Sequence, residues 1–136
     1  MDQFEDQKEW HEYVNDGCKY LKTAVNGSVK RKNVFTPEII FNIVAMSIEK
    51  NIMGYLLYNN CLPENHTLRD LADAVRLIYP FENDLFEKLV DMDRFQEICC
   101  IDLYERKIPD EDDVKEFLDI GQKVRAFVKE QLALVN

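Results

Sequence analysis

Apolar side chains recur along this chain at the three- and four-residue spacing of amphipathic helices. A first helix is predicted over residues 4–25. The pair Asn26-Gly27 is expected to end it, because both residues tolerate the left-handed backbone of a helix C-cap. A second helix starts at Thr36-Pro37-Glu38, where a capping hydroxyl, a first-turn proline and a carboxylate follow each other, and continues to about Asn60.

The second predicted helix is apolar on more than one face. A helix of this kind lies at the centre of its bundle or in a subunit interface. The apolar positions are Ile39, Ile40, Phe41, Ile43, Val44, Met46, Ile48, Ile52, Met53, Tyr55, Leu56 and Leu57.

Three more helices follow, over residues 68–78, 82–103 and 114–134. The third carries a clean apolar stripe and stops before Pro80, and the last is introduced by the acidic run from Asp110 to Asp113, with Asp110 as its cap. We interpret these carboxylates as stabilising the positive end of the helix dipole. They do not fit an EF-hand calcium site, because that loop needs alternating ligands and a central glycine. No strand alternation occurs, so we predict an all-α bundle of four to five up-and-down helices, forming one domain over residues 1–136.

Composition and charge narrow the class of protein. The chain is 46% hydrophobic with 4 Gly and 4 Pro, as in a compact helical domain. The chain has no unbroken run of about 18 apolar residues, so no membrane-spanning helix is predicted. Its acidic start is unlike a secretory signal, and a cytoplasmic location is expected. Four cysteines are then interpreted as core thiols: Cys18, Cys61, Cys99 and Cys100.

The net charge of −9, from 17 basic and 26 acidic residues, disfavours extensive nucleic-acid binding. A local basic patch would need the cluster Lys19, Lys22, Lys30, Arg31 and Lys32. We favour the interpretation that this cluster is a solvated helix end and loop.

Short segments spread over the chain resemble the HEPN family, small helical bundles of prokaryotes and higher eukaryotes. The resemblance rests on an aromatic and small-residue first helix, a Glu-Lys pair in the long helix, a histidine before the third, and a tyrosine ahead of the last. The matching residues are Trp10, Gly17-Cys18-Lys19-Tyr20-Leu21-Lys22-Thr23-Ala24, Glu49-Lys50, His66 with Leu68 and Leu71, and Tyr104 before Pro109-Asp110. The resemblance implies a dimeric helical bundle, often partnered with a nucleotidyltransferase-like protein.

Nuclease members of this family carry an Arg followed, after four to six residues, by a His. Such a pair suits RNA cleavage, since the His moves a proton while the Arg stabilises charge on the phosphate. The two histidines of this chain are His11 and His66, and neither has an Arg at that spacing. The ribonuclease motif of the family is therefore absent.

Five residues remain as candidates for ligand binding: Glu49, Lys50, His66, Arg69 and Tyr104. Four of them have a simpler interpretation that we favour: His66 as a capping or packing residue, and Glu49-Lys50 and Arg69-Asp70 as solvated pairs. No catalytic residue is assigned.

Other chemistries find little support, and no cofactor or metal is expected. Neither His has Glu three residues earlier, as a di-iron bundle needs. Cys61 and His66 lack a partner pair for zinc, and the four glycines are scattered rather than arranged in a phosphate-binding loop.

The sequence thus favours a non-catalytic HEPN-like homodimer. It would act as a binding or partner module in a nucleotidyltransferase-linked or toxin–antitoxin-like system. Two alternatives stay open. One is a divergent HEPN ribonuclease or toxin that uses His66 or His11 with a distant Arg. The other is a nucleotide-binding domain in which Lys50 or Arg69 meets phosphate.

Overall fold

A computed structural model describes residues 9–63, 65–80, 83–95 and 108–134. Within these ranges the chain is helical and has no β-strand. This confirms the predicted all-α bundle. The elements are α1 (Trp10–Lys30), α2 (Pro37–Tyr58), α3 (Leu68–Ile78), α4 (Asn83–Met92), a 3-10 turn (Asp93–Phe95) and α5 (Glu111–Gln131).

Side-chain caps fix the starts of three helices. The hydroxyl of Thr36 accepts a hydrogen bond from the Ile39 amide at 3.3 Å, and Thr67 caps α3 in the same way. At α5, Asp110 accepts from the Asp113 amide while the Asp113 carboxylate accepts from the Asp110 amide, both at 3.0 Å. These bonds satisfy amides that have no partner inside the helix, and they confirm the predicted caps at Thr36 and Asp110.

Helix α2 lies at the centre of the bundle, packed against α1, α3 and α5. Its inward side chains, such as Ile40, Ile48, Ile52 and Leu56, are almost fully buried. By length and composition α2 could cross a membrane, yet 67% of its most apolar stretch is buried inside the protein. That burial is the pattern of a core helix and is consistent with a soluble protein.

The predicted end of the first helix is wrong. Helix α1 continues through Asn26-Gly27 to Lys30, and the Arg31 amide donates to the Gly27 carbonyl at 3.0 Å. Gly27 serves packing instead: a Cβ there would lie 2.5 Å from the Phe35 ring. The glycine therefore lets the loop after α1 fold back onto the helix.

Of three other expectations, two meet the structure only in part. The predicted fourth helix ends at Met92 and passes into the 3-10 turn, and residues 96–103 lie outside the described part of the chain, with Cys99 and Cys100 among them. Cys18 and Cys61 are thiols without a disulfide, only partly buried rather than in the core. All five members of the basic cluster are exposed, as predicted.

Candidate functional site

The connection between α2 and α3 is built by specific backbone bonds. The Asn59 amide donates to the carbonyls of Tyr55 and Leu56, and Asn60 takes a positive φ of 56°. Asn is one of the few residues that adopt this left-handed conformation readily. The Cys61 amide then returns to the Leu56 carbonyl at 2.9 Å, which turns the chain away from the helix axis.

A hydrogen-bonded pair fastens the far end of this connection to α2. The Nδ1 atom of His66 lies 2.8 Å from Oε2 of Glu49, with the side chains 51% and 29% exposed. The carboxylate fixes the orientation of the imidazole. The loop before α3 is thereby held against α2, where Glu49 and His66 meet across 17 residues of sequence.

The remaining candidates occupy different places. Lys50 lies over the Tyr13 ring, 5.6 Å from its centre, and so is held towards α1 rather than towards His66. Arg69 is exposed on the first turn of α3, and its neighbour Asp70 bonds the cap residue Thr67. Tyr104 lies outside the described residues. The structure therefore joins Glu49 and His66 directly and gives the other candidates separate surroundings.

A surface groove of about 330 Å³ runs between the loop and α3. We call it the leucine groove; its lining includes Cys61, Leu62, Asn65, Asp70, Asp73 and Leu77. Leu62 is 57% exposed and Leu77 is 81% exposed, which is unusual for two leucines that share one depression. Two carboxylates beside them make the groove both apolar and acidic.

The described residues contain no group of three or more His, Cys, Asp or Glu that could hold a metal ion. The region thus combines an apolar and acidic depression with one imidazole that Glu49 orients. Apolar surface would anchor a ligand, and the carboxylates would select its charge.

Sequence reasoning missed a buried polar cluster, which we call the polar bridge: Ser47, Asn51 and Arg125. All three are at most 9% exposed. Arg125 Nη1 donates to the Val14 carbonyl at 2.8 Å and to Asn51 Oδ1 at 2.9 Å. Asn51 Nδ2 donates to the Ser47 carbonyl, and the Ser47 hydroxyl donates to the Gly17 carbonyl at 2.6 Å. The bridge thus ties α1, α2 and α5 together in the core.

A signal for the polar bridge was present in the sequence. Ser47 and Asn51 stand four residues apart in a helix that is apolar on most sides, so they share one face. Polar groups on a buried face need hydrogen-bonding partners, which predicts a polar residue on a neighbouring helix. Nothing local identifies Arg125 as that partner, because its sequence surroundings resemble those of a solvated residue.

Comparison with known proteins gives a result for the fold. No family model matches the sequence, and no curated protein matches it. By structure the chain is similar to the crystal structure of an archaeal HEPN homologue, with a TM-score of 0.68 and 14% sequence identity. The match covers 92% of this chain and 98% of that one. The protein therefore has a HEPN-like fold, and at this identity the likeness carries the fold alone.

Proposed function

We propose that this HEPN-like domain is a non-catalytic, cytoplasmic binding module that works as a homodimer and docks a protein partner in the leucine groove. The observation that carries the proposal is the pair of exposed leucines, Leu62 and Leu77, beside Asp70 and Asp73. Exposed apolar groups in a depression favour a protein ligand, since contact with one removes them from water.

The charge of the groove selects the kind of partner. Asp70 and Asp73 line it, and the whole chain carries a net charge of −9. A partner segment with apolar side chains followed by Lys or Arg is complementary to that surface. By the family resemblance, a nucleotidyltransferase-like protein is the partner class that we propose.

The docking surface can be tested with a synthetic amphipathic peptide of leucines and lysines, labelled for fluorescence anisotropy. Leu77→Asp should weaken binding about tenfold or more, because it removes an apolar anchor and adds a like charge to an acidic groove. Val29→Asp is the matched control, since Val29 is 72% exposed on α1 and outside the groove lining. Equal loss in both variants, or no loss in either, would contradict docking in the groove.

The homodimer is proposed from the outward side of α2. Ile39 and Met46 are 41% and 39% exposed and stand seven residues apart, so they lie on the same helical face. Together they form an apolar strip that a second copy of the chain would cover. We expect light scattering to give the mass of a dimer for the natural chain and of a monomer for Met46→Glu. Val29→Glu is the control. A monomeric natural chain at every concentration would refute the dimer.

One observation favours a second candidate, a divergent ribonuclease. The Glu49–His66 pair orients an imidazole that is half exposed and could exchange a proton with a bound substrate. Purified protein incubated with RNA tests this directly. Cleavage that disappears in His66→Ala but persists in His11→Ala would establish it, because His11 is equally exposed and lies near Glu9. An inactive natural chain would exclude the ribonuclease.

A further inference from the structure

We propose that a second cavity, between the C-terminal ends of α3 and α5 and the start of α4, binds an organic cation: an ammonium or guanidinium group on an aliphatic stem. The cavity measures about 470 Å³, within the range of small-ligand sites. Its lining includes Tyr79, Asp84, Leu85, Lys123, Phe127 and Glu130, none of which lines the leucine groove. We call it the aromatic pocket, and it is independent of the function proposed above.

An aromatic wall forms one side of the pocket. The Phe127 ring packs edge-on against Tyr79 at 5.7 Å and against Tyr55 at 5.3 Å between ring centres. Tyr55 is buried behind the wall, and its burial, with a smaller effect of Tyr79, raises the pKa of its phenol above the usual 10.0. Tyr79 is 42% exposed, so part of its ring remains accessible. Aromatic ring faces attract ammonium and guanidinium groups.

Next to this wall lies a carboxylate that has no ion-pair partner among the described residues. Glu130 is exposed in the last turn of α5, three residues after Phe127. The negative end of the helix dipole disfavours an acidic side chain at that position. Within the described part of the chain, Glu130 has no ion-pair partner. A bound cation would pair with the Glu130 carboxylate, and it would add to the positive charge that Lys129 already places at this helix end.

The charges at the other end of the pocket are already paired. Asp84 lies 3.5 Å from Lys88. Lys123 lies 3.0 Å from Asp119, and its hydrogen bond to that carboxylate raises the pKa of Lys123. An anion such as a phosphate would have to compete with Asp119 for Lys123. The unpaired negative charge therefore lies at the aromatic end, and this favours a cation over an anion.

The same cationic chemistry could come from a free amine or from a Lys or Arg side chain of another protein. Isothermal titration calorimetry at low salt separates these sources with two probes, agmatine and a blocked tripeptide with a central Arg. Low salt is needed because exposed charges are screened by added electrolyte. AMP serves as the anionic probe.

The variants Glu130→Gln and Tyr79→Leu test the two parts of the pocket. Each should weaken agmatine binding, Glu130→Gln by up to about fivefold, the scale of an exposed ion pair. Glu87→Gln is the matched control, because it removes the same charge from an exposed site on α4 outside the pocket lining.

The outcomes are distinct. Tighter binding of agmatine than of the tripeptide identifies a free amine as the ligand, and the reverse order identifies a protein side chain; both support the proposal when Glu130→Gln weakens them. Absence of binding by either probe overturns it. So does equal weakening by Glu87→Gln, or AMP binding that depends on the same residues. A failure here leaves the leucine groove untouched, since none of these variants alters it.

Discussion

Two faces of the same helix show how differently polar residues behave in this protein. On the inward face of α2, Ser47 and Asn51 are fully buried and bonded to Gly17 and Arg125. On the outward face, Glu49 is 29% exposed and bonded to His66, which is half exposed. The positions are only two residues apart, which turns their side chains to opposite sides of the helix.

The two sets of polar residues differ in whether water can replace a lost hydrogen-bond partner. A buried group that loses its partner has no water to replace it, whereas an exposed group exchanges its partner for water at little cost. The polar bridge should therefore determine which packing of α1, α2 and α5 is stable. The Glu49–His66 pair should determine only how the loop before α3 is held. The predictions below test this contrast, from the largest expected effect to the smallest.

Breaking the polar bridge should be severe. Arg125→Met removes the donor to Asn51 Oδ1 and to the Val14 carbonyl, and we expect the free energy of unfolding to fall by about 3 kcal/mol, the upper end of the penalty for a buried acceptor left unsatisfied. Urea denaturation measures the loss. Arg69→Met, on the exposed side of α3, is the control and should change the free energy of unfolding by less than about 0.5 kcal/mol.

The double variant Arg125→Met with Asn51→Leu sharpens this test. Replacing both polar partners by apolar side chains removes the Asn51 amide that Arg125→Met alone would leave unsatisfied, so the double variant should lose less stability than the two single variants added together. Simple additivity would mean that the bridge contributes no coupling between α2 and α5.

The packing around the bridge should also be sensitive to a single methyl group. A Cβ at Gly17 would lie 2.6 Å from the Asn51 side chain, which the bridge holds in place. Gly17→Ala should therefore destabilise the protein by about 1–3 kcal/mol, the usual range for overpacking. Thermal unfolding followed by circular dichroism measures this change.

Gly121→Ala is the matched comparison. Its Cβ would lie 3.1 Å from side-chain carbons of Leu21 and Val44, which can move by a few tenths of an ångström. The gain in helix propensity offsets this cost, so we expect a change within about 1 kcal/mol. Equal destabilisation at Gly17 and Gly121 would show that the bridge does not fix the position of Asn51.

The outward pair should have the smallest effect on stability. Glu49→Gln should lower the free energy of unfolding by at most about 1 kcal/mol, as is usual for exposed pairs. Faster exchange of the hydrogen-bonded amides at the start of α3, Leu68 and Asp70, should reveal the loosened loop. Unchanged exchange there would show that the pair does not fasten the loop. Glu87→Gln, on α4, controls for the loss of an exposed carboxylate elsewhere.

Several elements followed from local sequence because their determinants are local. Helix α3 spans the residues that its apolar stripe predicted, between the Thr67 cap and Pro80. The caps at Thr36 and Asp110 were likewise readable, since a capping bond joins residues three positions apart. Gly27 shows where this reasoning failed: the glycine accommodates Phe35, eight residues later, instead of ending the helix.

The candidate site was predictable only in part. Glu49 and His66 were each marked by the family resemblance, but their contact depends on the path of the loop between α2 and α3. The leucine groove and the aromatic pocket could not be foreseen, because their linings combine residues from separate elements. Tyr104 stays a prediction.

By itself, the sequence determined the helical class and the starts of three helices, because spacing and capping act within a few residues. It placed α2 either at the centre of the bundle or in a subunit interface. The tertiary structure decided which polar side chains are buried and which partners they have. It buried Arg125 against Asn51 and joined His66 to Glu49, and among the described residues it left Glu130 without an ion-pair partner beside an aromatic wall. These outcomes depend on how helices distant in sequence pack, and hydrogen bonding and desolvation are settled only when the partners meet.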